Sequence, residues 1–293
     1  MALSPASLSP TGLKQLAGKA MKPSRAFEYI FGRFYAVRLA RKKWLRSLAP
    51  GRQHGQPATQ SIHLDSTPDQ ARVLEDLRLQ AASEGLSLSA ATLNRFHELI
   101  ATADSFDAGL TRAKVGLEQA RAHNNSDHSN KYLILDYKSP ELEQLARDVA
   151  NDPYLIGVAR SFLGQLTGIE TRVQSSLVTE ASVDYREQSA QTVTFHYDVH
   201  GYNFLYCFFY LTDCDETSGA HEMITGSHKK KSFRFLLSSA RKSDSTIYNY
   251  YPGLSHVIKG KAGSGFFEDT SCFHRALAPS VNERICLQIR YKG

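Results

Sequence analysis

The chain has 293 residues, 42% of them hydrophobic, enough to bury the core of one large domain, and it contains no apolar run of about 18 residues that could span a membrane. Its formal net charge of +6 is unevenly spread: residues 1–52 hold eleven Lys or Arg against the single acid Glu28, whereas the remainder holds 24 against 28. A basic arm therefore precedes a mildly acidic body, and no nucleic-acid-binding motif accompanies the basic residues, so no nucleic-acid partner is expected.

The first ten residues lack the early positive charge and continuous apolar stretch of a secretory signal. Cys207, Cys214, Cys272 and Cys286 have no zinc-like spacing and read as reduced, buried thiols, in keeping with a cytoplasmic protein. After a Ser- and Pro-containing leader, Phe27, Ile30, Phe31, Phe34 and Val37 follow helical spacing, with Arg38 and Arg41 intruding on the same face. Pro50-Gly51 and Gly55 to Pro57 read as a linker, so residues 1–60 form an arm and linker and residues 61–293 a single domain. Thr67-Pro68-Asp69-Gln70 predicts a helix start, with a threonine cap and proline at the first turn, and the helix is expected to run to Gly85. A second helix over about 90–103 carries Leu93, Phe96, Leu99 and Ile100 on one face, with His97 as a packing or surface residue. Tyr132 to Tyr137 is strand-like, and helices over about 140–150 and from Pro153 to Leu163 follow. From Glu170 the chain turns β-rich, with strands at about 170–178, 192–198, 203–212, 255–259, 264–269 and 284–292. The helical part thus covers 61–165, and the β core about 130–293. Strands joined by Gly-bearing turns suggest a mainly β fold with flanking helices, a double-stranded β-helix or cupin-like jelly-roll barrel whose open end can hold a metal.

One constellation carries chemistry. His196-Tyr197-Asp198 sits on an expected strand, where residues i and i+2 share a side, so His196 and Asp198 can grip one ion while Tyr197 points away. His274, in the run Asp269-Thr270-Ser271-Cys272-Phe273-His274-Arg275, supplies a second imidazole. Two histidines and one carboxylate bind mononuclear non-haem Fe(II) on one face and leave positions open for a co-substrate and O₂. His200 shares the parity of His196 and Asp198, and His221 and His228 keep a more metal-rich arrangement conceivable.

The surrounding sequence, from Thr194-Phe195-His196 through the aromatic run at 204–210, Leu211-Thr212-Asp213 and Gly226-Ser227-His228, resembles the phytanoyl-CoA hydroxylase-like family of Fe(II)/2-oxoglutarate dioxygenases. Thr225 and Ala220 stand where that family commonly has proline. The segments Gly260 to Arg275 and Asn282 to Tyr291 are similar to its last ligand strand and partner, and the resemblance covers about 130–293. It implies Fe(II) held by His196, Asp198 and His274, with 2-oxoglutarate and O₂ consumed to give succinate and CO₂; the substrate is not part of the resemblance, and a small-molecule or lipid-linked metabolite is the expected molecule to be hydroxylated. It also implies that Arg284 binds the distal carboxylate of 2-oxoglutarate, ahead of Arg275 and Arg290. A surface salt bridge with Glu283 is the structural alternative for Arg284.

Two other classes stay open: a hydrolase or isomerase carrying Zn(II) or Mn(II) on the same triad, and a non-catalytic binding protein that works through its basic arm. The arm itself has two readings. Its charge and aromatics suit peripheral contact with an anionic membrane through residues 1–52, or it packs its aromatics onto the barrel. Lys229, Lys230 and Lys231 could meet an acidic substrate or form a solvated turn.

Overall fold

The computed structural model describes residues 28–48, 61–109, 111–189 and 191–293. The expected leader and the linker around Pro50 to Pro57 lie outside the described residues. Among the described residues, eleven strands carry the fold: β1 (Leu64–Ser66), β2 (Ala82–Leu88), β3 (Asp104–Asp107), β4 (Ile134–Lys138), β5 (Gly168–Ser176), β6 (Phe204–Tyr210), β7 (His221–Ile224), β8 (Ser255–Ile258), β9 (Ser264–Glu268), β10 (His274–Ala276) and β11 (Arg284–Lys292). Eight form one antiparallel sheet in the order β1-β2-β9-β6-β11-β5-β4-β3, and β10-β7-β8 form a second, smaller sheet.

The mainly β architecture with flanking helices matches the sequence expectation, but the closed jelly-roll barrel does not. Both sheets are open: the large one ends at β1 and β3, and no ladder among the described residues joins it to the small one. The reason lies in the segment expected as a strand over 192–198. Phe195 and His196 make only isolated bridges, to Lys242 and His274, and the Asp198 amide donates to the Thr270 carbonyl of a loop, so this segment adds no continuous strand to either sheet.

The helix expected to reach Gly85 is shorter. Asp69 caps it, accepting from the Ala71 amide, and it spans Gln70–Leu79. Gly85 lies instead within β2, at φ +108, where the register with β9 shifts between Glu84 and Leu86. A bulge and a helix stop both call on a glycine at positive φ, and sequence alone does not separate them. The later helices agree closely: Ala90–Thr102 capped by Ser89, Pro140–Ala150 capped by Ser139, and Pro153–Leu163 capped by Asp152 and stopped by Gly164. They cover the outer face of the large sheet, where Phe96, Leu142, Val149, Leu155 and Val158 pack on Leu205, Phe209, Leu287 and Ile289. His97 Nε2 donates to the Leu211 carbonyl, 2.6 Å away, which agrees with a packing role. The four cysteines are buried and free.

The described part of the arm packs on this body. A helical turn at 28–31 is followed by a helix over Tyr35–Leu48. Arg38, which intruded on the apolar face of the helical pattern, is only 5% exposed because it is an internal ion-pair partner. Its guanidinium bonds both oxygens of Asp269, at 3.1 and 3.2 Å, together with the Ser271 hydroxyl and, at 2.8 Å, the Tyr202 carbonyl. Arg33 donates to the carbonyls of Leu236 and Ser238, and Lys42 lies 4.0 Å from the Phe162 ring centroid.

Removing one partner of a buried ion pair leaves an uncompensated charge. Arg38→Ala is therefore expected to lower the unfolding free energy by about 3–5 kcal/mol in urea titrations. Asp269→Asn in the same chain should restore part of that loss, and strict additivity of the two changes would show that the pair is not coupled.

Candidate metal centre

His196 and His274 meet backbone to backbone. The His196 amide donates to the His274 carbonyl at 2.9 Å and the His274 amide returns the bond at 2.8 Å, so two residues 78 positions apart become direct neighbours. Tyr197 faces the other way, edge-on to Phe273, with its hydroxyl on the Phe235 carbonyl. Alternation thus places His196 and Asp198 together, as the pattern predicted, even though the segment is not a regular strand. Asp198 Oδ1 is 4.0 Å from His196 Nε2, and Oδ2 is 3.9 Å from His274 Nε2. One potential ligand atom from each of the three residues lies within 4.8 Å of the other two.

The tautomers are set by acceptors that can only accept. His196 Nδ1 lies 3.0 Å from the Thr194 carbonyl and His274 Nδ1 lies 3.1 Å from the Cys272 carbonyl. A carbonyl needs a proton from its partner, so both rings keep hydrogen on Nδ1 and present the Nε2 lone pair toward Asp198. Burial, reinforced by the neighbouring His274, pushes His196 down to about 4. Burial alone would raise the Asp198 carboxyl, but the His200 hydrogen bond and the adjacent imidazoles outweigh it and hold the group well below the usual carboxylate range. Two imidazoles with Nε2 turned inward and one carboxylate converge here, a donor set that suits a divalent transition metal.

The remaining histidines separate by position. His200 Nε2 lies 3.4 Å from Asp198 Oδ2 and is a partner of the carboxylate. His221 stacks on His274, with ring centroids 5.3 Å apart, and its Nε2 is 2.7 Å from Glu268 Oε2, though off the line of a good hydrogen bond. Glu268, Cys272 and His274 form a second close group behind the triad. His228 sits apart, against Tyr35 and the Arg78 carbonyl. Lys231 fits neither sequence reading: its buried ammonium donates to the Ser271 carbonyl and lies over the Tyr197 ring.

Arg284 is buried in the same cavity as the triad, about 230 Å³ in volume. It donates to the Gly219 carbonyl and, at 3.4 Å, to the Ser176 hydroxyl, and among the described residues no carboxylate pairs with it. The salt bridge with Glu283 is not made, because Glu283 pairs with Arg121 at 2.6 Å on the outside. Arg275 is directed to Glu222 and Asp244, and Arg290 to Glu170. A larger depression of about 1030 Å³ around Asp213, Lys261 and Asn282 contains none of the triad.

A family model described as Phytanoyl-CoA dioxygenase (PhyH) matches residues 88–284, a span that holds the whole triad and ends on Arg284. The chain belongs to the PhyH family. It is accordingly a member of the Fe(II)/2-oxoglutarate-dependent enzyme superfamily with a triad-like metal site. No curated protein matches it. Among solved structures, the non-haem α-ketoglutarate-dependent epimerase SnoN from nogalamycin biosynthesis is 16% identical, covering 76% of this chain and 82% of its own, with a TM-score of 0.51. AviO1 from Streptomyces viridochromogenes Tue57 is 15% identical, covering 78% of this chain and 96% of its own, at 0.49. The likeness to SnoN is one of fold.

Sequence reasoning missed Arg38, Glu268 and Asp269. Asp269 stood five residues before His274 in the run already singled out, and a lone arginine in an otherwise apolar helical stripe was the signal for its partner.

The histidines also set a pH dependence. Burial holds His228, like His196, down at about 4, so between about pH 6.5 and 4 the unfolded chain takes up protons that the native metal-free chain does not. Native stability should therefore fall as pH drops through that window, with uptake of up to about two protons on unfolding near pH 5. Urea midpoints at pH 7 and pH 5 check this, and equal midpoints would contradict it.

Proposed function

We propose that this chain is an Fe(II)/2-oxoglutarate-dependent hydroxylase of a small-molecule or lipid-linked metabolite, with His196, Asp198 and His274 as iron ligands and Arg284 as the anchor of the co-substrate. The observation that carries this reading is a buried guanidinium with no carboxylate of its own, in one cavity with two imidazoles and an aspartate. A buried cation is costly until it is paired. A dicarboxylate satisfies Arg284 at one end through two parallel charge-assisted bonds and leaves its other end for the metal. Bound iron would supply O₂ activation coupled to decarboxylation of 2-oxoglutarate to succinate and CO₂, with one oxygen delivered to the substrate.

The chain's own residues have defined tasks in this scheme. His196 and His274 present Nε2 because the Thr194 and Cys272 carbonyls hold their Nδ1 protons. Asp198 stays ionised and occupies the position that families lacking this carboxylate give to halide, which favours hydroxylation over halogenation. Phe208 and Phe266 form part of the cavity wall and give it apolar surface. A hydrolase or isomerase on the same triad has no use for a dicarboxylate anchor, and Arg284 would then lack a purpose. In this reading residues 61–293 are the catalytic unit, with the helix over Tyr35–Leu48 strapped across it.

Anaerobic addition of 2-oxoglutarate to the Fe(II)-loaded protein should produce a visible metal-to-ligand charge-transfer band. Folded, iron-loaded protein that gives no band would remove the reading. Arg284→Ala should weaken 2-oxoglutarate binding by about 2–5 kcal/mol while leaving Mn(II) affinity nearly unchanged. A larger effect from Arg290→Ala would sink the anchor assignment. SnoN is described as an epimerase, so the product decides the reaction: a mass gain of one oxygen supports hydroxylation.

A further inference from the structure

Among the described residues, and besides the His221 ring that sits against Glu268, the cavity contains two buried polar groups that the fold leaves unsatisfied. Gln174 Oε1 and Thr270 Oγ1 have no hydrogen-bond partner among the described residues, and the side chains are 6% and 1% exposed. Both line the cavity that holds the triad. Gln174 lies on the inward face of β5 between Ser176, which pairs in register with Arg284, and Arg172, opposite Gln288 on β11. Thr270 sits where its carbonyl receives the Asp198 amide, so its hydroxyl lies beside the metal ligands. Buried polar atoms in native proteins nearly always find partners, and a pair left open in one cavity marks where a ligand supplies them.

The rest of the lining narrows that ligand. Arg172 is already committed to Asp136 through two bonds of 2.5 and 2.9 Å. With Arg284 given to the co-substrate and Asp198 to the metal, no unpaired Lys, Arg, Asp or Glu remains among the described lining residues to recognise an ionic group. One wall is an aromatic platform: Tyr206 stacks on Phe208 at 5.3 Å with rings 7° from parallel, and Phe208 on Phe266 at 5.0 Å. Because these rings stack on one another, what they add to the lining is apolar aromatic surface, and that surface beside an amide and a hydroxyl matches a molecule with both C–H surface and hydroxyl groups. At about 230 Å³ the cavity is smaller than the ~300–1,000 Å³ of pockets for drug-sized ligands, so beside the co-substrate it admits only the reacting end of a second molecule.

Resting on the hydroxylase reading, we propose that the prime substrate enters as a neutral polyhydroxylated ring, the chemical class of a sugar residue, with its hydroxyls on Gln174 and Thr270 and its C–H surface against the aromatic wall of Tyr206 and Phe208. An extended alkyl chain would leave both polar groups buried and unpartnered.

The test uses the full chain loaded with Mn(II) and 2-oxoglutarate, in which the metal speeds the proton relaxation of any small molecule held beside it. The probes are the methyl glycosides of glucose, galactose, mannose and rhamnose, with 1-octanol as the alkyl comparator. At least one glycoside should show relaxation enhancement that saturates, and Gln174→Leu or the near-isosteric Thr270→Val should weaken its binding about tenfold, the equivalent of one hydrogen bond. The inference is overturned if octanol responds and the glycosides do not, or if no probe responds. It is also overturned if Gln174→Leu weakens 2-oxoglutarate in place of the glycoside, which would assign the amide to the co-substrate. The charge-transfer band in the unaltered protein keeps the two failures apart: a band with silent glycosides sinks only this inference, and a missing band sinks the hydroxylase reading beneath it.

Discussion

The reciprocal pair of backbone hydrogen bonds between His196 and His274 is the constraint on which the candidate centre depends. It is a local contact that brings residues distant in sequence to a separation where their side chains must cooperate. Once it forms, alternation places Asp198 beside both rings, and the Thr194 and Cys272 carbonyls orient the imidazoles. The apolar group of Phe195, Tyr197, Ile224 and Phe273 packs behind it and makes the pairing hard to slip, because a shift of one residue would turn Tyr197 into the cavity and His196 into the core. The donor geometry is therefore held by packing on the face away from the cavity.

The arm enters the same construction from the opposite end of the sequence. Arg38 bonds the Tyr202 carbonyl, four residues after Asp198, and Asp269 with Ser271, just before His274. One guanidinium thus ties together the two loops that carry the donors. The charge of the arm reads as a single basic patch in the sequence, yet this arginine is internal and neutralised. Its neighbours Arg41 and Lys42 lie over the Tyr202 and Phe162 rings, which leaves the arm less available as a free cationic surface than its composition suggests.

Most helices after residue 89, the β-rich second half and the convergence of His196, Asp198 and His274 were legible, because each rests on a local signal: Ser139 and Asp152 as caps followed by proline, or parity along an extended segment. The burial of Arg284 without Glu283 was not legible, since nothing in its neighbourhood says that Glu283 will choose Arg121. Three features were not legible for physical reasons. Gly85 could serve a helix stop or a bulge with the same positive φ. The open sheets follow from where amides at 195–198 find acceptors, which is a tertiary matter. Gln174 and Thr270 look like ordinary strand and loop residues until burial removes water from them.

The sheet order has a consequence for how this chain is made. β11 lies between β6 and β5, at the centre of the large sheet, although it follows both in sequence. Until Arg284–Lys292 has left the ribosome, β6 and β5 each present an unpaired edge, and β6 carries the run Phe204-Leu205-Tyr206-Cys207-Phe208-Phe209-Tyr210. Nascent chains of this protein therefore carry an unpaired aromatic edge from the emergence of β6 until β11 follows, with self-association as the competing outcome. The strand that relieves that hazard is also the one that delivers Arg284 to the cavity, so maturation of the pocket and protection of the sheet are a single late event.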